Sequence, residues 1–310
     1  MISLGEVSAL LAAVFWSIAV IIFKSVGDKV SSFVITPAKN FIAIILFGIV
    51  CVFTQVPIWY DGLLSSDYFR LIVSGCLGMG IADLLFLYSL NKIGANRVAI
   101  VNTLEPFAVL LMSFIVLKEA VPNMIQSVGF LIISLAVLSI ALENSPKKDI
   151  DSKSYYQGIL LMVLAISISS FGIVLMKPVL FKLGQVNSSI YNPYQLLLWG
   201  SMLRLLPGVL ITIIILLLQE NWRELLAPAI NRDVGLRLLV ASGLGTFFAL
   251  NFWIIGYAYM KETALTSILG QMSAIFIIIL ARIFLKETIT TVRIVSMCIA
   301  FIGVVFVVSG

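Results

Sequence analysis

Residues 70–78 read RLIVSGCLG, and residues 237–245 read RLLVASGLG. Two nine-residue stretches this alike, so far apart in one chain, point to an internal duplication. Working outward, residues 114–120 read FIVLKEA and residues 284–288 read FLKET, so Lys118-Glu119 aligns with Lys286-Glu287. At the front of each copy, Gly5 and Lys24 align with Gly158 and Lys177 at one common offset. The most polar stretch, 143–154 (ENSPKKDIDSKS), falls between the copies. The chain thus divides into a first repeat, 1–142, a polar linker, 143–155, and a second repeat, 156–310.

Each copy is overwhelmingly apolar. Of 310 residues, 61% are hydrophobic and 11% charged, with a mean hydropathy of +1.13. Soluble domains average about 25% charged residues, and a soluble chain of this composition would lack the polar surface needed to face water. A helix needs ~20 mostly apolar residues to cross the hydrocarbon core. Ten runs qualify: 6–23, 33–53, 71–90, 98–117, 124–142, 156–176, 190–218, 238–260, 263–285 and 294–308. The expected fold class is all-α, a polytopic membrane protein. Its ten transmembrane helices form two five-helix repeats. Because five is odd, the second copy enters the membrane upside down relative to the first, a recurrent transporter architecture with its solute site between the repeats. The segments around Trp59-Tyr60-Asp61 and Trp222-Arg223-Glu224 carry interfacial aromatics and are expected on the membrane surface.

Several function classes are excluded or disfavoured. There is no histidine, hence no Ser-His pair and no histidine metal ligand. No P-loop, dinucleotide glycine fingerprint or HExxH occurs, and no cofactor is expected. The net charge of +5 is spread through short loops without a nucleic-acid-like cluster. The three cysteines, Cys51, Cys76 and Cys298, have no metal-like spacing and read as small buried hydrophobes. The first apolar run lacks a basic n-region and reads as a membrane helix rather than a cleaved signal.

Specific residues carry the reading further. Trp16-Ser17 is followed by Lys24; then come 87–90 (LYSL), Gly94-Ala95, Glu105-Pro106 and 117–119 (LKE). The second half keeps Tyr257-Ala258, Thr263-Ala264 and 285–287 (LKE). In order, spacing and duplication these resemble the EamA-type transporters of the drug/metabolite transporter superfamily. Departures are Ser17 and Lys118, where the family usually has glycine, and Ser273-Ala274, where the first half has Glu105-Pro106. The resemblance implies a central cavity lined by helices one to four and six to nine, with helices five and ten at the periphery. It also implies metabolites such as amino acids as solutes, and cytoplasmic termini. Loop charge argues otherwise. With the N-terminus inside, the inner loops carry five Lys/Arg and the remaining loops twelve, so the positive-inside rule would put both termini outside. Orientation stays open at this point. The expected setting is a bacterial inner membrane.

Ionisable groups at membrane depth are costly unless they face a cavity or a partner. Asp83 and Glu105 fall near half depth, and either binds a solute ammonium or takes a proton during the cycle; the alternative is an internal ion pair with Lys39 or Arg204. Lys39 and Arg204 in turn either hold a substrate carboxylate or act as counter-ions. Pro37, Pro106 and Pro207 free backbone carbonyls and mark hinges or plain packing kinks. Trp16, Asn40, Tyr88, Asn102, Trp199, Asn251, Trp253 and Gln271 line the cavity or glue helices together. Asn251 lies near the repeat mate of Asp83, and Gln271 near that of Glu105. The best reading is a secondary transporter of a small metabolite working by alternating access, proton-coupled or exchanging. Its partners are a small-molecule solute and the lipid bilayer, with a homodimer left open. The rivals are a membrane-embedded lipid-modifying enzyme and a non-transporting sensor.

Overall fold

The computed structural model describes residues 3–56, 59–118, 123–141, 152–186, 192–260 and 263–309. All the regular structure among them is helical. The first repeat holds α1 (Leu4–Gly27), α2 (Ser32–Phe53), α3 (Ser65–Ser74), α4 (Asp83–Ile93), α5 (Ala95–Asn102), α6 (Glu105–Leu117) and α7 (Met124–Ala141). The second holds α8 (Ser152–Gly184), α9 (Pro193–Leu217), the short α10 (Trp222–Leu226), α11 (Arg232–Ala241), α12 (Leu250–Tyr259), α13 (Thr263–Gly270), α14 (Met272–Phe284) and α15 (Thr291–Ser309). Seven continuous helices are long and apolar enough to cross a membrane: Leu4–Gly27, Ser32–Phe53, Ser65–Ile93, Ala95–Leu117, Lys153–Gly184, Pro193–Leu217 and Arg232–Tyr259. The apolar helices Met124–Ala136, Met272–Phe284 and Thr291–Gly303 are shorter. The chain is an integral membrane protein by this count. Most of the linker, residues 143–151, lies outside the described residues, as does Glu119.

Local chemistry sets where these helices begin and end. Ser3 and Glu6 form a reciprocal capping box at the start of α1, and Asn192 with Gln195 does the same ahead of Pro193 in α9. α6 ends on Lys118 and α14 on Leu285-Lys286, and both lysines are left-handed, with φ of 54° and 55°. This is the helix-ending conformation that glycine usually supplies. The duplication is thus visible in the backbone even where the residue is not the favoured one.

The two repeats also share an irregularity. α3 joins α4 through a π-helical segment, Gly75–Ala82, and α11 joins α12 through another, Ser242–Ala249. Each is eight residues long. In lipid, helix association depends on close packing through small residues rather than on water expulsion, and the first π segment shows it. Gly75 lies so close to the Arg204 carbonyl of α9 that a Cβ there would collide with it, and a Cβ on Gly208 would sit 3.0 Å from the Gly75 carbonyl. In the second, a Cβ on Gly245 would come within 2.6 Å of the Ala19 Cβ on α1.

The repeats interlock. Gly5 at the start of α1 packs on Met260 after α12, and Gly158 near the start of α8 packs on Ile93 at the end of α4. At the other end of each, lysine meets terminal carbonyls. Lys24 reaches the Asn91 carbonyl at 3.5 Å, and Lys177 reaches those of Tyr257 and Met260. The C-terminal ends of α4 and α12 therefore meet opposite ends of α1. α7 and α15 pack chiefly on one another; a Cβ on Gly303 would press on Ile133, and the Ser139 and Ser296 hydroxyls bond at 2.5 Å.

The cysteines depart from expectation: Cys51 is buried, Cys76 half-buried and Cys298 exposed. An apolar side chain on the outer face of a membrane helix needs no protein cover, because lipid serves as its solvent.

Candidate functional site

A cavity of about 80 Å³ lies between the two repeats. Trp16 of α1, Lys39 of α2, Asp83 and Phe86 of α4, Asn102 of α5 and Glu105 of α6 line it from the first repeat. Met162, Ala165, Ile166 and Ser169 of α8 and Leu250 and Trp253 of α12 line it from the second, with Met79, Ala82, Gly245 and Thr246 contributed by the π segments. Drug-sized pockets run to about 300–1,000 Å³, so this space admits only a small ligand without rearrangement.

Its polar groups fall into two sets. In the first, the Lys39 Nζ donates to Asp83 Oδ2 at 2.5 Å and to Asn40 Oδ1 at 2.9 Å. Lys39 is 2% exposed, so its charge is neutralised where water cannot reach it, whereas Asp83 is 16% exposed and touches the cavity. Asn40 is held in turn by donating to the Met79 carbonyl at 2.6 Å. In the second, Glu105 Oε2 accepts from Asn102 Nδ2 at 3.2 Å and from Gln271 Nε2 at 3.0 Å. Both donors are neutral, and among the described residues no lysine or arginine pairs with Glu105. Glu105 is the first residue of α6, just after the tight turn at Thr103-Leu104 that separates it from α5 within the span Ala95–Leu117. Gln271 occupies the corresponding break between α13 and α14.

The aromatic lining is compact. Trp16 lies 5.4 Å from Phe86 and 6.0 Å from Trp253 between ring centroids. The Trp253 Nε1 and the Thr246 hydroxyl are buried with no hydrogen-bond partner, which leaves two polar groups available to something in the cavity.

Of the residues singled out in the sequence, Trp16, Lys39, Asp83, Asn102, Glu105 and Trp253 line the cavity, and Gln271 and Asn40 stand directly behind it. Four do not reach it. Arg204 donates its Nε to the Ser74 hydroxyl at 2.8 Å, behind the first π segment. Trp199 packs on Tyr60 and Tyr68 at 6.5 and 5.9 Å. No α9 residue lines the cavity, so both fall outside it, and helix seven does not contribute the wall that the resemblance implied. Tyr88 faces Phe33 at 6.5 Å, with the Lys92 Nζ over its ring at 5.0 Å. Asn251 misses because Thr246, Leu250 and Trp253 form the inward face of their helix, and Asn251 lies one residue further round.

The prolines separate too. Pro37 and Pro207 lie inside α2 and α9, whereas Pro106 sits in the first turn of α6, where a missing N–H costs nothing. Met79, Phe86, Met162, Ser169 and Thr246 are lining residues that the reading of polar outliers missed. Helical spacing was the available signal: Met79, Asp83 and Phe86 recur at four and three residues, as do Met162, Ile166 and Ser169.

The model of a family described as EamA-like transporters matches the chain twice, over residues 3–142 and 156–309. No curated protein matches. A solved structure described only as a crystal structure of a protein superposes with a TM-score of 0.67 at 13% identity, covering 97% of this chain and 95% of that one. At that identity the likeness speaks for the fold alone.

Proposed function

The chain belongs to the EamA-like transporter family, and from that premise we propose that it is a secondary transporter carrying a small zwitterionic metabolite, of the amino-acid class, by alternating access. Ten membrane passes, arranged as two oppositely inserted five-helix units over 1–142 and 156–310 and joined by the linker 143–155, would rock about the cavity in a bacterial inner membrane.

The observation that carries this reading is the pairing of unlike charge sites in one small space. A buried Lys39–Asp83 ion pair shares the cavity with a second carboxylate, Glu105, held by the Asn102 and Gln271 amides. A zwitterion can open the ion pair without leaving a charge uncompensated: its ammonium replaces Lys39 at Asp83, and its carboxylate replaces Asp83 at Lys39. Glu105 then supplies the coupling site, taking either a proton or the ammonium of a counter-solute. The two tryptophans close over the apolar part of the solute.

The test is uptake of radiolabelled amino acids, driven by an imposed pH gradient or by preloaded counter-solute, into proteoliposomes holding the purified protein. Wild type accumulates label; D83N and E105Q insert and purify but carry no driven flux. Normal transport by both variants across a pH range would sink the carboxylate mechanism.

A further inference from the structure

α5 has only eight residues and is buried along nearly its whole length. It runs on into α6 and packs on α14, α8, α4, α7 and α15, and a side-chain hold fastens each of its ends. Both holds come from the second repeat, and both come from the ends of α14. At the N-terminal end, Glu287, just beyond α14, accepts from the Ala95 N–H at 2.8 Å and from the Asn96 N–H at 3.1 Å, one bond to each carboxylate oxygen. The left-handed turn at Lys286 and the bond from the Glu287 N–H to the Ala281 carbonyl, 3.2 Å, fold the chain back so that the carboxylate reaches. Gly94, with φ 84°, leaves room for it: a Cβ there would lie 3.0 Å from Glu287 Oε1. At the C-terminal end, Asn102 meets Gln271 Oε1 at 3.5 Å, and both amides hold Glu105. Gln271 is the residue on which α14 begins.

We propose that Glu287 is a positioning residue for the Glu105 cluster, acting through α5 and α14 as one clamped unit. The clamp spans about 12 Å, the length of eight helical residues. Its outer fastening is a charged cap near the end of the bundle, and its inner fastening is the amide pair that holds Glu105. Slackening either end lets α5 shift against α14, so the outer end and the cavity carboxylate are coupled, and such coupling is reciprocal. The inference rests on the transport reading only for its purpose, because the coupling itself is a property of the resting protein.

Amide hydrogen exchange on the full-length protein in lipid nanodiscs tests it without any solute. E287A raises exchange at Ala95 and Asn96 by roughly tenfold, the scale of losing a helix cap, and E287Q, with one acceptor oxygen, falls between E287A and wild type. A purely local cap would give that much. The distinguishing result is that Q271A, at the far end, also raises exchange at Ala95 and Asn96, and that E287Q raises it at Thr103 and Leu104. If Q271A leaves Ala95 and Asn96 at the wild-type rate, the clamp is wrong. Coupled exchange in a protein whose E105Q variant transports normally would instead keep the clamp and remove the transport role of Glu105. Should E287A fail to accumulate, E287Q and Q271A carry the same comparison.

Discussion

The two repeats copy each other in backbone and differ in chemistry. Their π-helical segments have the same length and are followed at once by α4 and α12. Yet α4 begins with Asp83 and α12 with Leu250, and Glu105 at the start of α6 has Ser273 as its mate in α14. Among the described residues, Asp83, Glu105 and Lys39, which line the cavity, come from the first repeat; the second offers Ser169, Thr246, Trp253 and the Gln271 amide behind the wall. Duplicated backbone supplies the two-sided frame, and the unequal side chains give the cavity a polar side and an amphipathic one.

The sharpest way to break this comparison is to move its charge. E105Q should bring driven flux down to that of empty vesicles, and adding a carboxylate at the matching place, as E105Q/S273E, should not restore it, because Lys39 and Asn102 stand on the first-repeat side. Next in size is the ion pair. D83N leaves a 2%-exposed lysine without its counter-charge, and breaking such a pair costs about 3–5 kcal/mol. The expected result is a clear fall in the unfolding temperature in detergent, largely reversed in K39M/D83L. At the π segments, G75A should cost about 1–3 kcal/mol by overpacking against the Arg204 carbonyl. S242A, at the matching position, loses only a hydroxyl bond to the Leu238 carbonyl, worth about 1 kcal/mol or less. A reversed order of their thermal shifts would refute the close-approach account. The smallest effect is at the lysine turns: K118G and K286G should each stabilise by no more than about 1 kcal/mol, since glycine takes a positive φ freely but starts from a looser unfolded chain.

The sequence carried the frame well, because membrane helices announce themselves by apolar length and a duplication by repeated words. It carried less of the site. Depth can be read from position along a run, so Asp83, Glu105 and Lys39 stood out and do meet the cavity. Facing cannot be read that way: Trp199 and Tyr88, at plausible depths, pack elsewhere, and Arg204 stands behind the wall, within electrostatic reach of Asp83. The helix breaks after Asn102 and Gly270 were invisible inside continuous apolar runs; Pro106 hinted at one, and nothing comparable marked the other. The partner of Glu287 was likewise unreadable, because it is backbone.

The π segments have one more effect. Each N–H there reaches five residues back instead of four, so a helical wheel drawn at uniform angle through 65–93 or 232–259 drifts out of phase partway along. Any alignment of designed substitutions, crosslinks or labels onto these two helices must restart the wheel after Ala82 and after Ala249, or it will assign the wrong compass bearing to Asp83 and Trp253.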